Sequence, residues 1–122
     1  MGIPNQWALM FFRHLDLFAA KSAGESWLSL GTLDYEVSRK VEKKLGFSGS
    51  CASLFGKLGY ARYVQMDINA QADIVWDLNQ SILTHHSEFD FIYDGGTIEH
   101  ILNPFQGCVN VLTMTKVGGR IA

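Results

Sequence analysis

Basic residues are scarce in this chain of 122 residues. Lys and Arg number 10 against 12 Asp and Glu, for a net charge of -2, and the pI is about 6.0. A nucleic-acid backbone is held by neutralising its phosphates with Lys and Arg. No basic track of that kind is present, so no nucleic-acid partner is expected. The densest basic run, Arg39 to Lys44, is interrupted by Glu42 and preceded by Glu36, the pattern of a solvated helix face. Cysteine is also rare. Cys51 and Cys108 lack metal-type spacing and sit in apolar company, so they read as small buried thiols in a reducing compartment. Long apolar runs are missing too. The start, MGIPNQWALMFFRHLDLF, is broken by Arg13, His14 and Asp16. It is too short and too charged to span a bilayer, and it shows no basic leader or small-residue cleavage site. The expectation is a cytoplasmic protein with no membrane partner. Repeats, low-complexity linkers, a Ser-His-Asp arrangement and a Gly-Lys-Ser/Thr phosphate loop are all absent.

What is present is a hydrophobic content of 48%, enough for one domain over residues 1–122 that buries roughly two thirds of its unfolded surface. Residues 5–21 read as a helix, with Trp7, Met10, Phe11, Leu15 and Phe18 on one stripe. An α/β core over about 26–122 follows. SWLSLG, residues 26–31, is a candidate buried strand. A helix over 38–45 is expected between Ser38 and the stop at Gly46. A short helix then turns Cys51, Leu54 and Leu58 inward. RYVQMD (62–67), ADIVWDL (72–78) and FDFIYD (89–94) read as strands. Only four residues separate the first two of these, too few for a crossover helix, which makes 72–78 a short edge strand. Asn103 and Pro104 start a helix whose apolar stripe is Phe105, Val109 and Leu112. Lys116 favours its carbonyl end, and Gly118-Gly119 stop it. RIA opens a further strand. The alternation predicts an α/β fold: a Rossmann-like, mainly parallel sheet with helices on both faces, incomplete at the C-terminal end.

The candidate strands end at Gly31, Asp67, Asp77 and Asp94. In an open parallel sheet, ligands lie in the crevice beyond the carboxyl ends of the strands. Carboxylates there suit the hydroxyls of a ribose, an exocyclic amine or a cationic group, and adjacent glycines admit a ligand to the backbone. The alternative is turn chemistry, because Asp-Ile-Asn, Asp-Leu-Asn and Asp-Gly-Gly all favour turns.

Residues 62–122 resemble the class I S-adenosylmethionine-dependent methyltransferases. FDFIYDGGTIEHILNP, the helix after it and KVGGRIA are similar to that family's fourth strand, following helix and fifth strand. VQMDIN and ADIVWDLNQSI are similar to its second and third strands with their acidic ends. The resemblance implies S-adenosylmethionine as cofactor and transfer of a methyl group to a small-molecule acceptor. It would place Asp67 on the ribose hydroxyls and Ile68 against the adenine. Asp77 would accept from the adenine amine, beside the backbone amide of Leu78. Asp94 and Gly95 would lie by the methionine end. His100 is a candidate base for an acceptor proton, since an imidazole titrates near neutrality; otherwise it packs under its loop.

The chain departs from the family at the first strand. SWLSLGTLDYE keeps only Gly31 of a glycine-rich turn, has Ser29 where an acid is usual, and carries Thr32, Leu33 and Asp34 instead of small residues. Gly31 and Asp67 are 36 positions apart (67 − 31), against roughly 20 in the related dinucleotide fingerprint. The sequence also stops at Ile121-Ala122, within the family's fifth strand, which suggests a truncated sheet with an exposed edge through which copies could associate. A second reading is therefore a non-catalytic methyltransferase-like module that binds a partner protein. A nicotinamide-binding oxidoreductase ranks behind both, for want of three spaced glycines.

Overall fold

Side chains of a strand alternate between the two faces of its sheet. SWLSL and FDFIYD are apolar at most positions, so both faces beside them must be covered. The computed structural model describes residues 2–122 and meets that demand. In chain order the elements are β1 (Gly2–Pro4), α1 (Asn5–Arg13), α2 (Leu15–Phe18), β2 (Ser26–Leu30), β3 (Asp34–Glu36), α3 (Arg39–Leu45), α4 (Cys51–Lys57), β4 (Arg62–Asp67), β5 (Ile74–Val75), β6 (Phe89–Asp94), α5 (Pro104–Met114) and β7 (Thr115–Ile121), with a 3-10 turn at Ile98–His100. Five strands form an all-parallel sheet in the order β5-β4-β2-β6-β7. This is the expected Rossmann-like α/β architecture.

Trp27, Phe91 and Tyr93 turn to one face, where Phe11 of α1 and Leu54 and Phe55 of α4 cover them. Leu28, Leu30, Met66 and Ile92 turn to the other, against Val111 and Met114 of α5. The first face is dense in rings. Trp27 and Phe91 lie 4.8 Å apart, Phe11 and Phe18 4.9 Å, and Phe55 and Tyr63 5.1 Å. Such pairs each add about 0.5–1.5 kcal/mol beyond their burial. Cys51 belongs to this cluster, and burial pushes its thiol up to about 11.

β4 and β6 run over the residues read from the sequence, and Gly46 ends α3 in the left-handed region with φ 79°. Elsewhere the structure corrects the sequence reading. The N-terminal helix does not run unbroken over 5–21. His14 leaves helical geometry at φ -117° and ψ 53°. That break turns Phe18 back onto Phe11 and Phe91 and presents the carbonyls of Leu17 and Ala19 to Arg120. Trp7 and Leu15 are exposed rather than part of a buried stripe. The strand expected over 72–78 shrinks to Ile74–Val75. The Asp73 carboxylate takes the amide of Gln65 (2.8 Å), and Asp77 starts a turn by accepting from the amide of Asn79 (2.9 Å). With so short a strand, residues 68–73 suffice as a parallel connection without a helix. β1 and β3 form a separate parallel pair that three-residue segments did not reveal. It buries Ile3 completely.

α5 is rotated relative to expectation. Phe105, Val109 and Leu112 face outward, and Gly107, Asn110, Val111 and Met114 form the buried side. Cys108 lies on the outward side and is exposed, not buried. Asn110 explains the rotation. Its side chain donates to the carbonyls of Leu78 (3.1 Å) and Gln80 (2.8 Å) and accepts from the amide of Ile82 (3.0 Å). The helix ends at Met114, so Lys116 and Gly118-Gly119 belong to β7 and not to a helix terminus. Gly118, at φ 81°, serves an irregularity in the β6–β7 register, and Lys116 reaches Asp90 at 3.1 Å.

Candidate functional site

β2 is the central strand from which the chain leaves first to β4 on one side and then to β6 on the other. Such a reversal opens a crevice beyond the strand ends, where open α/β sheets hold ligands. Gly31, directly after β2, has φ 79°. A Cβ at that position would stand 2.6 Å from the Thr97 hydroxyl, so only glycine fits. The Thr97 hydroxyl in turn donates to the carbonyl of Leu30 at 3.0 Å. Leu33 presses on the other glycine of the crevice: a Cβ on Gly95 would lie 2.9 Å from Leu33 Cδ2.

The open space lies to one side of this closure. A cavity of about 230 Å³ is bounded by Asp67 and Ile68 at the end of β4, Asp77 and Leu78 after β5, and Thr97 and His100 after β6. Trp76, Ile101 and Leu102 supply further apolar wall. Four of the sequence-predicted positions, Asp67, Ile68, Asp77 and Leu78, therefore converge on one hollow, with His100 on its border. Asp94 and Gly95 open into a different hollow, shared with Trp7, Tyr93, Gly96 and Glu99.

The acids differ in what they have left to offer. Asp67 Oδ2 accepts from the Thr32 amide (2.8 Å) and hydroxyl (2.9 Å), and Oδ1 accepts from the Asn69 amide at 3.2 Å. Partial burial favours its protonated form, but these donated bonds outweigh that and hold the carboxyl below its ordinary value. Both bonds to Asp77, from the Asn79 amide and side chain, fall on Oδ1. Oδ2 thus remains for a ligand. Asp94 is committed to its own turn, accepting from the amides of Gly96, Thr97 and Ile98. His100 is about two-thirds exposed and stands 3.4 Å from Glu99. Its ring does not pack beneath the loop.

The Asp67 shift has a consequence for acid stability. A carboxyl whose folded pKa is depressed stabilises the fold above its unfolded-state value and loses that contribution as pH falls through the folded value. Asp67→Asn is therefore expected to lower stability at neutral pH, with the difference from the parent vanishing in acid below 3.8, the ordinary value for this side chain. Urea unfolding at a series of pH values measures it; a difference independent of pH would contradict the assignment.

No protein-family model and no curated protein matches this chain.

The chemistry of the site rests accordingly on its own residues. The nucleoside end of S-adenosylmethionine fits the donor set: two carboxylates with accepting capacity beside apolar walls. Thr97 fills the approach to Gly31, and Asp94 and Gly95, where the resemblance would put the methionine end, face a separate hollow. Ser29, in the position of the family's usual acid, is fully buried and bonded to the Tyr63 hydroxyl at 2.7 Å. Burial pushes that phenol up to about 12. No sequence signal pointed to the part played by Thr97. Among the described residues no group of three or more His, Cys, Asp or Glu is placed to hold a metal ion, and no helix is long and apolar enough to cross a membrane.

Proposed function

We propose that the protein is an S-adenosylmethionine-dependent methyltransferase domain acting on a small-molecule acceptor in the cytoplasm, with the adenosine end of the cofactor in the hollow between Asp67 and Asp77. The observation that carries this reading is the convergence of those two acids, with Ile68 and Leu78, on one cavity at the carboxyl ends of parallel strands. The Asp67 carboxylate accepts from a ribose hydroxyl through the lone pair that the Asn69 amide leaves on Oδ1. Asp77 Oδ2 accepts from the adenine amine. Ile68 and Leu78 flank the base. When bound, the cofactor supplies a methyl group activated by a positively charged sulfur. His100, at the border, is placed to take a proton from an acceptor hydroxyl or amine, and proximity provides much of the rate in such a direct displacement.

A second reading, a non-catalytic module that binds a partner protein, is favoured by a different observation. Leu102, Phe105 and Leu112 are 95%, 77% and 67% exposed around α5, and β7 is an edge of the sheet. Edge strands and contiguous apolar patches are association surfaces, and a second copy of this chain is one such partner.

Thermal unfolding with S-adenosylhomocysteine separates the two readings. A ligand at a hundredfold excess over its Kd adds about 2.7 kcal/mol, which for a chain of this size raises Tm by roughly 10 °C. Asp67→Ala should remove most of that shift. No shift at millimolar ligand would favour the partner-binding module.

A further inference from the structure

The hollow at the end of β6 is lined by Trp7 of α1 and by Tyr93, Asp94, Gly95, Gly96 and Glu99, with no Lys or Arg among them. Tyr93 is only 4% exposed. Its ring packs against Phe11 and Phe55, with centroids 5.5 and 5.8 Å away. A buried hydroxyl is normally paired, yet among the described residues that of Tyr93 has no hydrogen-bond partner. No side-chain oxygen sealed from solvent lacks a partner among the described residues, so the Tyr93 oxygen reaches the open space that its residue lines. Gly95 keeps it accessible: a Cβ there would lie 3.7 Å from that oxygen. Burial, with the charge of Asp94 beside it, pushes the phenol up to about 12. It is therefore uncharged near neutrality, with an oxygen able to accept a hydrogen bond. Trp7 is 43% exposed, and its ring stacks on no other ring among the described residues. An indole face attracts cations. Asp94 accepts only from amides of its own turn, and neutral donors leave its charge in place.

We propose that this hollow binds a small primary or secondary amine in its ammonium form, with no carboxylate on the carbon that bears the nitrogen. The ammonium N–H donates to the Tyr93 hydroxyl, the Trp7 ring lies by the carbons next to the nitrogen, and Asp94 and Glu99 supply the opposite charge. An amino acid fits less well. Its own carboxylate would enter beside the ammonium and meet two acids, with no cation in the lining to offset them. The amine site itself needs no nucleoside in the neighbouring hollow; its occupant's role as methyl acceptor rests on the methyltransferase reading. An ammonium nitrogen has no free electron pair, so as an acceptor it first loses a proton. Glu99 stands 3.4 Å from His100, which links this hollow to the imidazole proposed as base. Once the imidazole holds that proton, the freed pair on nitrogen forms the bond to the methyl carbon, and the carbon–sulfur pair returns to sulfur.

The test titrates the whole chain at neutral pH and follows its backbone-amide and indole signals by nuclear magnetic resonance. The probes share one carbon skeleton: 3-(methylthio)propylamine, the alcohol 3-(methylthio)propan-1-ol, and methionine. No nucleoside is added, so a failure of the nucleoside reading leaves the outcome untouched. The amine is expected to shift the Trp7 indole and the Gly95 and Gly96 amides saturably. It should bind at least tenfold tighter than the alcohol and at least fivefold tighter than methionine. A smaller margin over the alcohol would overturn the proposal, because charge would not be what the hollow reads. A smaller margin over methionine would overturn it in favour of an amino-acid group, such as the one the cofactor itself carries. No saturable shift at those signals with high millimolar amine, or saturable shifts only elsewhere, would remove the site while leaving the methyltransferase reading in place. Tyr93→Phe keeps the packed ring and should weaken the amine at least threefold. Trp7→Leu, at an exposed position, should weaken it at least fivefold. Smaller losses in both variants would overturn the assignment.

Discussion

Replacing Arg120 by Met is expected to lower stability by about 3 kcal/mol, or roughly 12 °C in Tm. Glu25 is only 4% exposed. Its carboxylate accepts from the Lys21 amide (2.8 Å) and the Trp27 indole (3.0 Å), and it is paired with the Arg120 guanidinium. Arg120 also donates to the carbonyls of Leu17 and Ala19 and lies over the rings of Phe91 and Trp27, at 5.3 and 5.9 Å. Removing it leaves a buried carboxylate with only neutral donors, and breaking a buried pair from one side costs more than removing both partners. Adding Glu25→Gln to Arg120→Met should therefore recover at least about 1 kcal/mol. A single variant that melts within about 2 °C of the parent would show that Glu25 finds other compensation.

Asn110→Ala is expected to cost about 3–4 kcal/mol, because it strips partners from two buried backbone groups at once. The buried amide of Ile82 and carbonyl of Leu78 depend on this one side chain, whereas the exposed Gln80 carbonyl keeps the Trp76 indole, and each buried polar group left unsatisfied costs about 1–3 kcal/mol. The effect reaches the candidate site, since Leu78 and Asn79 form part of the cavity wall. Hydrogen exchange should show the Ile82 amide losing its protection first, with residues 78–82 opening below the global unfolding transition. A loss confined to α5, with those residues still protected, would show that the segment is held by its apolar contacts through Leu78 and Ile82 instead.

The same residue marks where the sequence stopped being legible. The start of α5 was readable, because Asn103 accepts from the Gln106 amide (3.1 Å) and proline follows at the first helical position. The buried side of α5 was not. Polarity in the sequence argues for Asn110 outside and Phe105 inside, but the amide of Asn110 is satisfied by a loop about thirty residues earlier, which no local pattern encodes. β4 and β6 were readable as apolar runs ending in acids. The truncation of β5 followed from Asp73 taking over an amide that a longer strand would have paired. At the site, the grouping of Asp67 with Asp77 could be anticipated from strand ends on a common rim. The seclusion of Asp94 could not, since it depends on a threonine hydroxyl bonding a carbonyl 67 positions away.

The order in which the chain is made sets the order in which this architecture can close. β2 is synthesised early, yet its partners β4 and β6 end at Asp67 and Asp94, and pairing at such separations is slow. Until both exist, the central strand presents Trp27, Leu28 and Leu30 to its surroundings. The wait is longest for Glu25, whose cation belongs to residue 120. A nascent chain of about a hundred residues can therefore assemble most of the sheet while holding an uncompensated carboxylate at its base. The segment that carries Arg120 acts as a latch, and a ribosome that stalls before it leaves a species exposed to chaperone capture.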